Sequence, residues 1–196
     1  MKDSLENKLM DTLYRQFVIL GIIEDRFSIL KSTYEEYKSN NKGAHNSFMF
    51  SNMYVYRTCV IIDLCKLFIV PKQNSQKDIY KGDTQHNNFY YVINKYRDLL
   101  GSCSGEIEQI LNDLSDKVQL IVDERNQELV HKDSSTGTDV KLDVNHMDEI
   151  ETLVVKSREI IEILFKAQDC EIILEKDEAK ISTLKKVIEF LKTEKA

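Results

Sequence analysis

Apolar residues recur at three- and four-residue steps from the start of the chain. Leu9, Leu13, Phe17, Leu20, Ile23, Phe27 and Leu30 share one face of a helix, and the residues between them are mostly polar. This predicts a long helix over Ser4–Lys38, opened by a capping box of Asp3 and Glu6. The cluster SNNKGAHN, residues 39–46, reads as a turn. A denser apolar run predicts a second helix over Ser47–Val70. Pro71 stops it, having no backbone N–H to donate and disfavouring helical geometry in its predecessor. PKQNSQKDIYKGDTQH, residues 71–86, is a polar loop, and a shorter helix is expected over Asn88–Leu100. After a break at GSCSG, 101–105, the helical pattern resumes over Glu106–His131. A loop at 133–145 carries a short stretch, VKLDV, suited to extended backbone. A helix over His146–Gln168, capped by Asn145, and a final one over Lys176–Lys192 complete the pattern. The expected fold is all-α, a single-domain antiparallel bundle of five to six helices covering 1–196.

Composition agrees with long helices. The chain has 196 residues with 42% apolar, enough for one core, but only six glycines, one proline and no tryptophan. The start, MKDSLENKLMDTLYR, lacks the basic and apolar regions of a signal peptide. CVIIDLCKLFIV, 59–70, is too short to span a bilayer and contains Asp63 and Lys66. Cys59, Cys65, Cys103 and Cys170 form no CxxC pair and read as reduced core thiols of a cytoplasmic protein.

Charge is unevenly placed. Lys38 to Arg97 holds nine basic and three acidic residues, a balance of +6, while the rest of the chain carries −12. An anion-binding middle within an acidic molecule is the reading this suggests.

The sharpest feature is DERNQELVHKD, residues 123–133. At 100° per residue, Ile107, Leu111, Leu114, Val118 and Ile121 lie within about 40° of one line. Arg125, five turns after Ile107, falls on the centre of that line, where a guanidinium needs an anionic partner, a subunit interface or a phosphate. His131 lies about 120° off the line and roughly 9 Å further along, so one helix does not set the two side by side. A two-fold partner helix would supply a second Arg and His to the same cleft.

Arg125-Asn126-Gln127-Glu128-Leu129-Val130-His131 resembles the signature of the HEPN-domain ribonucleases: Arg, a polar residue, and His at the end of a helix in an all-α bundle. Most of the chain resembles the layout of the AbiU-type branch, associated with abortive infection and toxin–antitoxin pairs. A long first helix precedes a second ending in KLF, then a basic loop, a short helix, the motif helix and a helical tail. The resemblance implies a HEPN-like fold and a metal-independent, cofactor-free endoribonuclease of antiviral defence, cutting host RNA such as tRNA at a composite site in a homodimer. The resemblance also implies a cognate antitoxin as a partner, which the sequence itself does not show. Arg125 would hold the scissile phosphate, His131 would transfer a proton or hydrogen-bond the phosphate, and Asn126 would orient His131 or the phosphate. The products would be a 2′,3′-cyclic phosphate and a 5′-hydroxyl.

A plainer account of the same residues stays open. An imidazolium is favoured at a helix C-terminus, and Arg125 could pair with Glu128, Asp123 or an acid on another helix. The chain would then be a non-catalytic helical interaction module that dimerises or binds a partner protein. From Glu106 to Asp133 three basic residues face eight acids, so a positive field for RNA would have to come from the basic 38–97 stretch. Lys72, Lys77 and Lys81 are its best candidates for RNA contact. Tyr54, Tyr56, Tyr80, Tyr90, Tyr91 and Tyr96 could stack bases, but read mostly as half-buried core residues. Arg57 and Asp63, charges embedded in the second helix, read as intra-bundle ion partners, with Arg57 alternatively near the active cleft. His45, His86 and His146 show no ligand-like spacing, so no metal site is expected. No Gly-rich phosphate loop or GxSxG motif occurs.

Overall fold

Each apolar stripe becomes the inner face of a helix. In the computed structural model, residues 2–39, 45–68, 88–130 and 146–170 are described, with side chains described for 5–38, 49–68, 88–126 and 146–170. These residues form an all-α bundle: α1 Lys2–Ser39, α2 His45–Phe68, α3 Phe89–Leu100, α4 Cys103–Asp113, α5 Ser115–Val130 and α6 Met147–Lys166. No strand occurs among the described residues. The expected VKLDV stretch, the Pro71 stop and the final helix over 176–192 lie outside them.

On α1, Leu9, Leu13, Leu20, Ile23 and Leu30 are wholly buried, as the four-residue recurrence requires. The helix already runs at Lys2, so Asp3 lies inside its first turn instead of capping it. An acid there is still favoured by the helix dipole. α2 likewise starts two residues before the expected Ser47, at His45.

α1 and α6 run antiparallel. Followed along α1, Phe17 meets Phe165 edge-on at 5.9 Å, Glu24 accepts two hydrogen bonds of 2.7 Å from Arg158, and Lys31 reaches Glu151 at 2.6 Å. The partners step backwards along α6 as the numbers rise on α1. α2 joins the same core, where Phe68 packs against Phe89 of α3 with ring centres 5.2 Å apart.

Local chemistry sets the breaks. Asn88 starts α3 by accepting the Tyr90 backbone N–H at 2.8 Å. Gly101, at φ +56°, ends that helix, and α4 resumes at Cys103, inside the expected GSCSG break. The helix expected over Glu106–His131 is two helices, divided at Leu114 where the backbone flattens to φ −94°, ψ −4°. Ser115 and Asp116 favour helix starts over interiors, which suits a division there. The Leu114 N–H still reaches the Ile110 carbonyl at 3.2 Å, and the Val118 N–H the Leu114 carbonyl at 2.9 Å. The line Ile107, Leu111, Leu114, Val118, Ile121 therefore survives the division and is buried throughout.

α6 begins at Met147 behind His146, which occupies the cap position in a left-handed conformation at φ 73° without a side-chain capping bond. The expected cap, Asn145, is outside the described residues. Among the described residues no helix is long and apolar enough to cross a membrane. All four cysteines are free; Cys65 is buried and the other three are half-buried, less enclosed than core thiols would be.

Candidate functional site

The site grows from the azimuth of α5. Ile121 is wholly buried and fixes which side of the helix faces the core. One turn later Glu124 and Arg125 flank that direction, about 60° to one side and 40° to the other. Asn126 is turned towards solvent. The two charged neighbours thus leave the core face in different directions, and their environments differ accordingly.

Glu124 turns to α2 and forms an ion pair with Arg57. The Arg57 side chain is 3% exposed and that of Glu124 14%, so the pair is held largely out of water. Burying either charge alone would cost several kcal/mol (about 3–5 when one partner of a buried pair is removed), so each accounts for the other's position. What the Arg57 guanidinium meets is a carboxylate on the motif helix, not solvent.

Arg125 is half-buried. Its Nη2 donates to the Asn126 Oδ1 at 3.0 Å and its Nε to the same oxygen at 3.4 Å. Among the described residues no carboxylate forms an ion pair with it. Asp123, one candidate partner from the sequence, accepts instead from Gln119 at 2.7 Å. The Glu128 side chain, the other named candidate, lies outside the described residues.

Cys65 of α2 reports on both charges. Its Sγ lies 3.9 Å from the Ile121 carbonyl. Burial pushes its thiol up to about 11; the Arg125 cation pulls it down and the Glu124 carboxylate pushes it further up. The α2 surface between Arg57 and Cys65 is therefore the wall behind Glu124 and Arg125.

Asp63, the second embedded charge of α2, is 4% exposed and pairs with Arg26 of α1 and, at 2.6 Å, with Lys66. Arg57 and Asp63 thus serve separate ion pairs. Of the tyrosines, Tyr54, Tyr56, Tyr90 and Tyr91 are half-buried and Tyr96 is 2% exposed. Lys95 hydrogen-bonds Tyr91 and stands over the Tyr91 and Tyr96 rings at 4.9 and 5.5 Å, and the Tyr91 bond holds its ammonium above the usual lysine range.

His131, Lys72, Lys77, Lys81, Tyr80 and His86 lie outside the described residues, as does the His45 side chain. His146 approaches Glu149 at 3.8 Å. Among the described residues no group of three His, Cys, Asp or Glu is placed to hold a metal ion.

Periodicity did not reveal Glu124, which sits beside the conspicuous arginine in an acidic stretch. One signal pointed to it: an arginine in the apolar run of α2 requires an acid on whichever helix packs there, and α5 is the helix that does. No known family model, curated protein or solved structure matches the chain.

Proposed function

We propose that the chain is a HEPN-type endoribonuclease of an antiphage or toxin–antitoxin system, cutting host RNA such as tRNA without a metal ion, at a composite site in a cytoplasmic homodimer. A cognate antitoxin is the protein partner this reading includes. One observation carries it. Arg125 stands at the wet edge of an otherwise buried line, fastened to the Asn126 of its own motif, with no carboxylate among the described residues neutralising it. A half-buried, preoriented guanidinium is suited to bidentate binding of a phosphodiester.

The chemistry follows from the residue types. Arg125 binds the non-bridging oxygens and offsets the charge that builds on them as the 2′-oxygen attacks phosphorus. His131 moves the proton between the 2′-hydroxyl and the departing 5′-oxygen, a task for a side chain that titrates near neutrality. Asn126 holds Arg125 in place. The 2′,3′-cyclic phosphate keeps the phosphorus and the 5′-hydroxyl leaves with the proton.

The test is cleavage of total tRNA by purified protein in EDTA. His131→Ala is expected to lose about 10²–10⁴-fold in rate. Arg125→Ala is expected to lose about 10²–10³-fold. Equal cleavage by wild type and His131→Ala would remove the histidine from the mechanism. No cleavage by any of the three, with dimers intact, would favour the non-catalytic interaction module.

A further inference from the structure

The motif helix is a poor place for an anion. From Glu106 to Asp133 the chain carries −5, and Glu124 is the immediate neighbour of the arginine that would bind the phosphate. A carboxylate so close opposes an incoming anion and competes for the guanidinium.

The Arg57–Glu124 pair answers that problem. Arg57 belongs to the basic 38–97 stretch, whose charge had no evident route to the motif helix. It is 2% exposed, too buried to meet RNA itself, and it forms an ion pair with Glu124. The carboxylate is turned into α2, away from the solvent edge where Arg125 and Asn126 lie. Taken together, Arg57, Glu124 and Arg125 carry one net positive unit, and Arg125 is the member of the three at the solvent edge.

We infer that Arg57 is a charge-balancing residue for the motif: it neutralises and holds back Glu124, leaving Arg125 as the net cation presented to an RNA phosphate. The inference rests on the reading of Arg125 as a phosphate-binding group. It assigns Arg57 a positioning role, acting through Glu124 without touching RNA.

Loss of either partner perturbs the same buried pair, but the two losses change the local charge in opposite directions. The probe is a short single-stranded 2′-O-methyl RNA, which has no 2′-hydroxyl to react, titrated in EDTA at near-physiological salt. Glu124→Gln removes a negative charge with little change of shape and is expected to bind about three- to tenfold tighter. Arg57→Gln removes a positive charge and is expected to bind weaker by a similar factor of about three to ten. Arg57→Met/Glu124→Leu removes both; buried pairs tolerate such apolar replacement, so it is expected to fold and bind within about threefold of wild type. Arg125→Ala should bind least. Thermal unfolding of each variant shows that it is folded at the assay temperature.

Opposite shifts for Glu124→Gln and Arg57→Gln support the inference. Weakening in both would make the pair purely structural and overturn it, as would no shift in either while Arg125→Ala loses binding. So would a folded Arg57→Met/Glu124→Leu that fails to bind. If Arg125→Ala binds as wild type does, the motif reading itself fails and takes the inference with it.

Discussion

Cys65 shows how a single buried group ties the site to stability. Its thiol is pushed from 9.0 to about 11, first by burial, with Arg125 opposing and Glu124 adding. The folded chain therefore keeps this proton over a range of pH in which the unfolded chain has lost it. Where the unfolded state binds fewer protons, stability falls as pH rises, so the contribution is constant below about pH 9 and declines between about 9 and 11. Two units correspond to at most about 3 kcal/mol. Cys65→Ala removes this titration. It is expected to be less stable than wild type by about 1 kcal/mol near pH 8, the cost of a small cavity, and to overtake it by about pH 10.5. Urea unfolding at the two pH values reads the difference, and other titrating groups, Lys31 among them, cancel in the comparison. Curves that stay parallel would mean that the thiol is not held in its protonated form.

At the scale of the element, the α3–α4 corner turns on one residue. Gly101 adopts φ +56°, ψ −130°, a region that residues with a Cβ rarely enter, and a Cβ added there would meet no atom within 4 Å. The cost of Gly101→Ala is thus backbone strain alone, about 1–3 kcal/mol, measurable as a lower urea midpoint with an unchanged slope. An unchanged midpoint would show that the corner relaxes without loss. The glycine was legible as a break because glycine is rare in this chain, and the buried faces of α1 and of the line from Ile107 to Ile121 were legible from spacing. The division at Leu114 was not. It alters two dihedral angles yet leaves the apolar spacing intact, so the pattern that predicts a helix cannot register it. The His146 cap was also hidden, since Asn145 is the better capping residue and the left-handed conformation at His146 brings no side-chain bond that its sequence could advertise. For the site, the sequence asked of Arg125 an anionic partner, a subunit interface or a phosphate, and it paired Arg57 with Asp63, which instead serves Arg26 and Lys66. It could not show that Glu124 serves Arg57, because that choice is made by the packing of α5 on α2 and not by spacing along either helix.

At the scale of the whole molecule, the question is how many chains make one site. The antiparallel contact of α1 with α6, fastened by Glu24–Arg158 and Lys31–Glu151, sets the body from which α5 presents Arg125. In a continuous helix His131 would lie about 120° round from Arg125 and roughly 9 Å beyond it, which separates the two groups within one chain. Two copies related by a two-fold axis would bring the arginine of one to the histidine of the other, and the proposed ribonuclease is such a pair. Sedimentation should show a dimer, but a dimer alone would not place the site between the chains. Complementation would. Arg125→Ala and His131→Ala homodimers are each expected to be inactive. When the two proteins are mixed and allowed to exchange, half of the dimers become mixed. In each of these one site holds both substitutions and the other holds neither, so cleavage should return to about one quarter of wild type. A site built within one chain gives no recovery, because every chain in the mixture lacks one of the two groups. Silence from the mixture after exchange is verified would therefore reject a site made of one arginine and one histidine from different chains, even if each single substitution had abolished cleavage.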